Sequence, residues 1–152
     1  MSAIAKSGDD TAPILLRTDD RAAGIATLTL NRPEALNALS LDLLHAVQAE
    51  LEALAEDREI KVVVITGSGR LFSPGHDLKE IRANPGQAMN QKLLTACSKM
   101  MLSISSLPQP VIARVQGPAY AAGCQLVASC DLAIAVDSAT FCTPGVNIGL
   151  FC

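Results

Sequence analysis

With 152 residues, 49% of them apolar and 18% charged, the chain has material for one packed domain and too little charge for a disordered polymer. It has no Trp, one Tyr and three Phe, and a net charge of −3. That argues against a base-stacking or phosphate-neutralising nucleic-acid surface, while a local cluster of cations can still receive an anionic ligand.

Along the chain, Pro13–Thr18 and Gly24–Leu30 read as two strands joined by a turn at Asp19-Asp20-Arg21. Ala26, Leu28 and Leu30 alternate with Thr27 and Thr29, as on a strand with one face turned inwards. Asn31-Arg32-Pro33-Glu34 interrupts the pattern. Ser40 is a good N-cap, and Leu43, Leu44, Val47, Leu51 and Leu54 then recur at helical spacing to about Ala55. Ile60–Thr66 is a continuous, β-branched apolar run, which predicts a strand covered on both faces. A second helix is expected from Ala88 to about Ser105, a strand over Val111–Val115, and a short helix from Ala122 to Ser129. Short strands at Leu132–Val136 and Thr140–Phe141 follow. The order, ββα and then β-turn-α units, predicts an α/β fold with largely parallel pairing.

The five cysteines (Cys97, Cys124, Cys130, Cys142 and Cys152) contain no C-x-x-C pair and are odd in number. Buried thiols are expected rather than a disulfide framework or a zinc site. No run approaches the ~20 apolar residues of a membrane span. Met1–Pro13 lacks a signal-peptide core, and Asp9 and Asp10 are foreign to a transit peptide. A cytoplasmic protein with a flexible N-terminus over residues 1–12 is expected. A mitochondrial matrix form, its presequence missing, is the alternative.

Two turns carry the chemistry. Leu71-Phe72-Ser73-Pro74-Gly75-His76-Asp77-Leu78-Lys79 and Gln116-Gly117-Pro118-Ala119-Tyr120-Ala121-Ala122-Gly123-Cys124-Gln125 each follow an apolar run and lead towards a helix. Backbone N–H groups at such junctions lack intrahelical partners and can hold a developing negative charge. Taken singly the segments are bland. Ser73-Pro74-Gly75 alone is a turn, His76-Asp77 alone is weak support for a metal or acid–base pair, and Cys124 without a His partner reads as a core thiol. Gly67-Ser68-Gly69 fails the dinucleotide pattern because Phe72 stands where its last glycine is needed.

In order and spacing, however, N-R-P-x-x-x-N-A-L (residues 31–39), F-S-P-G-H-D (72–77) and A-A-G-C-Q (121–125) resemble the crotonase, or enoyl-CoA hydratase/isomerase, superfamily. The resemblance implies a crotonase-like (ClpP/crotonase) spiral of ββα units. It covers Leu15 onwards, with residues 13–152 forming the N-terminal core, and stops before the family's C-terminal helical trimerisation region. It implies an acyl-CoA or enoyl-CoA thioester substrate, coenzyme A entering as part of that substrate with no permanently bound cofactor and no metal, and a homotrimer or hexamer in fatty acid metabolism. By position, the oxyanion donors are the backbone N–H groups of His76 and Ala122. Arg32, Glu34, Ala35, Ser73, Gly75, His76, Asp77, Leu78, Lys79 and Ala122 line the substrate and CoA site, with Arg32 and Lys79 as its cations.

The departure lies in the acid–base groups. Gln125 and Gly145 stand where the family's hydratases carry two glutamates that hold water and transfer protons. An amide does not exchange a proton at neutral pH, and glycine has no side chain, so hydration by the usual route is not expected. Three readings remain open: an acyl-CoA enzyme with altered chemistry, a non-catalytic acyl-CoA-binding or regulatory protein, and, more weakly, a nucleotide-binding α/β domain. The His76 side chain is open between a base and a CoA-facing group.

Overall fold

The computed structural model describes residues 12–149, so the flexible N-terminus expected over residues 1–12 lies almost wholly outside them, as does Cys152. Strand β1 (Leu15–Asp20) pairs antiparallel with β2 (Ile25–Leu30). The strands run on to Asp20, so the hairpin turn falls at 21–24 and not at Asp19-Asp20-Arg21. Gly24, with φ +69°, takes the left-handed position there. Strands β3 (Val62–Gly67), β4 (Val111–Val115) and, later, β6 (Leu132–Ala135) extend the sheet in the order β1-β2-β3-β4-β6, every added pairing parallel. A separate two-stranded parallel pair joins β5 (Ala119–Tyr120) to β7 (Phe141–Cys142).

Helix α1 (Leu41–Glu56) is capped by Ser40, whose Oγ accepts from Leu43 N. It buries Leu43, Leu44, Val47, Leu51 and Leu54, the stripe that the sequence period picks out. Removing one such leucine side chain costs about 2–5 kcal/mol. The pairing registers place Ala26, Val63 and Val111 in one row and Leu28, Ile65 and Ala113 in the next, and all six are buried. Helix α3 (Gln87–Ser106) adds Leu93, Cys97, Met100, Met101 and Ile104 to the same core. The expectation that Ile60–Thr66 is covered on both faces is not met. Val63 and Ile65 are buried, but Val62 and Val64 on the opposite face are only partly so. Leu132 and Ile134 of β6 are 62% and 65% exposed on that open face.

One α-helix and one strand escaped the sequence reading. Residues 78–83 form a one-and-a-half-turn helix, α2 (Leu78–Ala83), nucleated by Asp77, whose carboxylate accepts from Lys79 N and Glu80 N. Strand β5 was read as turn because two residues carry no period. Helix α4 (Ala122–Ala128) begins where expected. The parallel strands β2, β3 and β4 all end at one edge. The three motif-bearing loops leave from that edge, the usual position of a ligand site in such a sheet.

Candidate active site: two opposed turns

Three loops interlock at this edge. The turn after β3 lies between the Asn37–Leu39 stretch and β5. Leu39 N donates to Gly75 O (2.8 Å) and Asp77 N to Leu39 O (3.1 Å), while Ser73 pairs with Ala119 and Tyr120 N donates to Ser73 O (2.9 Å). In that parallel bridge the N–H of the intervening residue, His76, points away from Leu39. No described residue accepts it. Ala122 opens helix α4, so its N–H has no carbonyl one turn back, and it too is unclaimed.

The two N–H groups belong to segments held in close contact. A Cβ placed on Gly75 would lie 3.0 Å from the Ala121 Cβ and 3.1 Å from the Ala122 nitrogen. Gly75 also sits at φ +100°, where an L side chain is strained. A Cβ on Gly123 would come within 2.3 Å of Ser73 O, so only glycine lets α4 approach the turn so closely. Ala122 is helical and is not among the residues with positive φ. The strained residue is its neighbour Ala121, at φ 48° and ψ −123°. Sequence reading missed it because small residues on both sides hide which one carries the unusual conformation.

The remaining positions sort by what their side chains already do. Arg32 and Asp77 are spoken for. The guanidinium donates to Ala38 O (2.6 Å) and to the Asp77 carboxylate (3.0 Å), and Asp77 also caps α2. Burial works to raise the Asp77 carboxyl, but Arg32 and the capping N–H groups outweigh it and hold it below the usual range. Arg32, expected to serve the CoA site as a cation, is thus already engaged by Ala38 O and Asp77 in this structure. Leu78 and Lys79 are exposed at the start of α2, and Glu34 and Ala35 lie in a short 3-10 turn (Pro33–Ala35). Ser73 is fully buried; its hydroxyl donates to Asn37 O and accepts from Gly75 N.

The His76 ring is half-buried. Burial lowers its pKa, the Leu39 backbone works the other way, and the neutral imidazole is favoured. Its Nδ1 is buried without a partner. Gln125 is an exposed residue of α4, one turn beyond the donor, and Gly145 is buried in a 3-10 turn (Pro144–Ile148) just after β7. Strand β7 reaches the site through Ala121 N, which donates to Cys142 O (2.8 Å). Cys124 is half-buried, its thiol pushed up by burial and by the nearby Cys142, which suits a packing thiol rather than a nucleophile. Cys97 is buried as expected, Cys130 is half-buried, and Cys142 is exposed. Among the described residues no group of three or more His, Cys, Asp or Glu is placed to hold a metal, and no helix is long and apolar enough to cross a membrane.

The enoyl-CoA hydratase/isomerase family profile matches residues 20–152. The chain belongs to that family. It is 47% identical over 129 residues to the mitochondrial enoyl-CoA hydratase domain-containing protein 3 of Xenopus laevis, covering 85% of this chain and 44% of that one. The human counterpart is 48% identical over 129 residues, covering 85% and 43%. Among solved structures, an enoyl-CoA hydratase of Mycobacterium smegmatis superposes with a TM-score of 0.87 at 53% identity, covering 92% of this chain and 54% of that one. Human enoyl-CoA hydratase domain-containing protein 3 superposes at 0.86 with 44% identity, covering 91% and 54%. The fold is therefore that of the N-terminal half of the family's α/β structures, and the chain spans about half the length of the relatives it matches.

Proposed function

We propose that this family member binds an acyl-CoA thioester and stabilises its enolate with the backbone N–H groups of His76 and Ala122. The observation that carries the reading is the pair of unclaimed N–H groups on two turns pressed together at Gly75. Abstraction of a proton next to a thioester carbonyl moves charge onto the oxygen. Two fixed donors lower that barrier, and loss of one such donor typically costs about 10²–10³ in rate. Lys79, exposed beside the turn, supplies a cation for the CoA moiety, while Arg32 and Asp77 brace the loop. Coenzyme A enters as part of the substrate, and no permanently bound cofactor takes part.

Proton transfer is where this chain departs from a hydratase. Gln125 can orient a carbonyl or water but moves no proton, and Gly145 offers no side chain. Among the described residues, the titratable group with a buried, unpartnered nitrogen is His76, and its neutral state suits a proton acceptor. A second reading, non-catalytic acyl-CoA binding, is favoured by the same two positions. We assign the whole protein to a homotrimer or hexamer, with its C-terminal helical region completing the acyl pocket. The mitochondrial names of the relatives favour the matrix over the cytoplasm.

The test is a mass-spectrometric time course of the full-length protein with a panel of enoyl- and acyl-CoA thioesters. Gain of one water, a shifted double bond or release of CoA supports catalysis and identifies its class. Tight binding in calorimetry without any product supports the carrier reading. Absence of thioester binding refutes both.

A further inference from the structure

At the start of the turn that bears the His76 N–H, one backbone atom, the carbonyl oxygen of Leu71, is reached by two side-chain amides from different loops. Asn37 Nδ2 donates to it at 2.9 Å and Gln116 Nε2 at 2.7 Å. Each amide is anchored at its other end. Asn37 Oδ1 accepts from Arg32 N (2.9 Å) and its Nδ2 also donates to Ser68 O (2.8 Å), while Gln116 Oε1 accepts from Gly67 N (3.3 Å). Asn37 is completely buried, sits at φ 61°, and its own carbonyl accepts the Ser73 hydroxyl. The loops after β2, β3 and β4 therefore meet at this point, one residue before Phe72 and five before the His76 donor.

A surface turn does not require such an arrangement. One partner satisfies a carbonyl, and Leu71 O has two, both uncharged amides that are hydrogen-bonded again elsewhere. Gln116 opens the very segment that ends in the Ala122 donor, and Asn37 closes the loop that pairs with His76. A shift of either amide moves one donor-bearing segment relative to the other.

We propose that Asn37 and Gln116 act as a two-amide clamp that sets the spacing of the His76 and Ala122 N–H groups. They are positioning residues and touch no substrate. The inference rests on the proposed oxyanion role of those donors. A misplacement of about 1 Å in such a site costs on the order of 10²-fold in rate.

The test uses the full-length protein with [1-¹³C]butyryl-CoA, a saturated thioester whose carbonyl shift reports polarisation by the donors. Two variants open the clamp. Gln116→Met keeps the volume at a half-buried position, and Asn37→Gly keeps access to the left-handed backbone. Gln48→Met is the control, since Gln48 is an equally tethered amide on α1, bonded to Glu52 and Ser103. The clamp predicts that both variants bind the thioester but lose about half or more of the wild-type carbonyl shift, whereas Gln48→Met retains it. Faster amide exchange at residues 72–77 in Gln116→Met, absent in Gln48→Met, accompanies the loss. Wild-type shifts in either clamp variant, or an equal loss in Gln48→Met, overturn the clamp. A bound wild-type thioester with no shift overturns the oxyanion reading itself. Should Asn37→Gly fail to fold, Gln116→Met decides alone.

Discussion

Replacing Gly75 with alanine tests the site at its narrowest point. The new methyl would stand 3.0 Å from Ala121 Cβ, 3.1 Å from Ala122 N and 3.2 Å from Tyr120 O, all closer than ordinary van der Waals contact. Two of those neighbours are backbone atoms, so they cannot swing aside as a flexible side chain would. The residue also keeps φ near +100°, a cost of about 1–3 kcal/mol for a residue with a Cβ. The larger expected consequence is chemical, because the methyl stands against the nitrogen of the proposed Ala122 donor. Loss of one oxyanion donor amounts to about 10²–10³ in turnover. Thermal denaturation separates folding from function, and the ¹³C shift of a bound labelled thioester reads the donor directly. Gly86→Ala is the control, since nothing lies within 4 Å of the added carbon and the backbone there is extended, with φ 174°. A folded Gly75→Ala protein that polarises the carbonyl as the wild type does would refute the assignment of Ala122.

Other outcomes follow from strain, protonation and burial. Ala121→Gly relieves the positive φ at the head of α4 and raises stability by about 1 kcal/mol, seen as a higher midpoint in urea; a lower midpoint contradicts the strain. His76 has a lowered pKa, so its contribution to stability is fully present above the ordinary value of 6.5 and declines as pH falls towards its folded-state value. His76→Asn should flatten that part of the pH–stability curve, and an unchanged slope there argues against the burial of the ring. Asp77, also lowered, keeps its contribution above 3.8 and loses it as pH falls through its folded-state value, a second and more acidic step that Asp77→Asn should abolish. Among the described cysteines, iodoacetamide at pH 8 should label exposed Cys142 first. Cys97 and Cys130, pushed by burial to about 11 and about 12, should react last, as peptide mapping would show. Early labelling of Cys97 would mean that the α1–α3 core opens readily.

The sequence alone determined the parts whose signal is local. The stripe Leu43–Leu54 with Ser40 before it specified α1, because a helix repeats its buried face at a spacing visible within one segment. The three motifs, in their order, carried the family. Tertiary structure decided what depends on a second segment. That Arg32 is paired with Asp77, far along the chain, is such a contact. The open face of β3 could not be foreseen, since an apolar run reports its own composition and not what packs against it. The strain at Ala121 and the convergence of Asn37 and Gln116 on Leu71 O arise only when three strand ends are brought to one edge. Hydrogen bonds and backbone clashes act over about 3 Å, and no periodicity along the chain encodes which distant atoms will come that close.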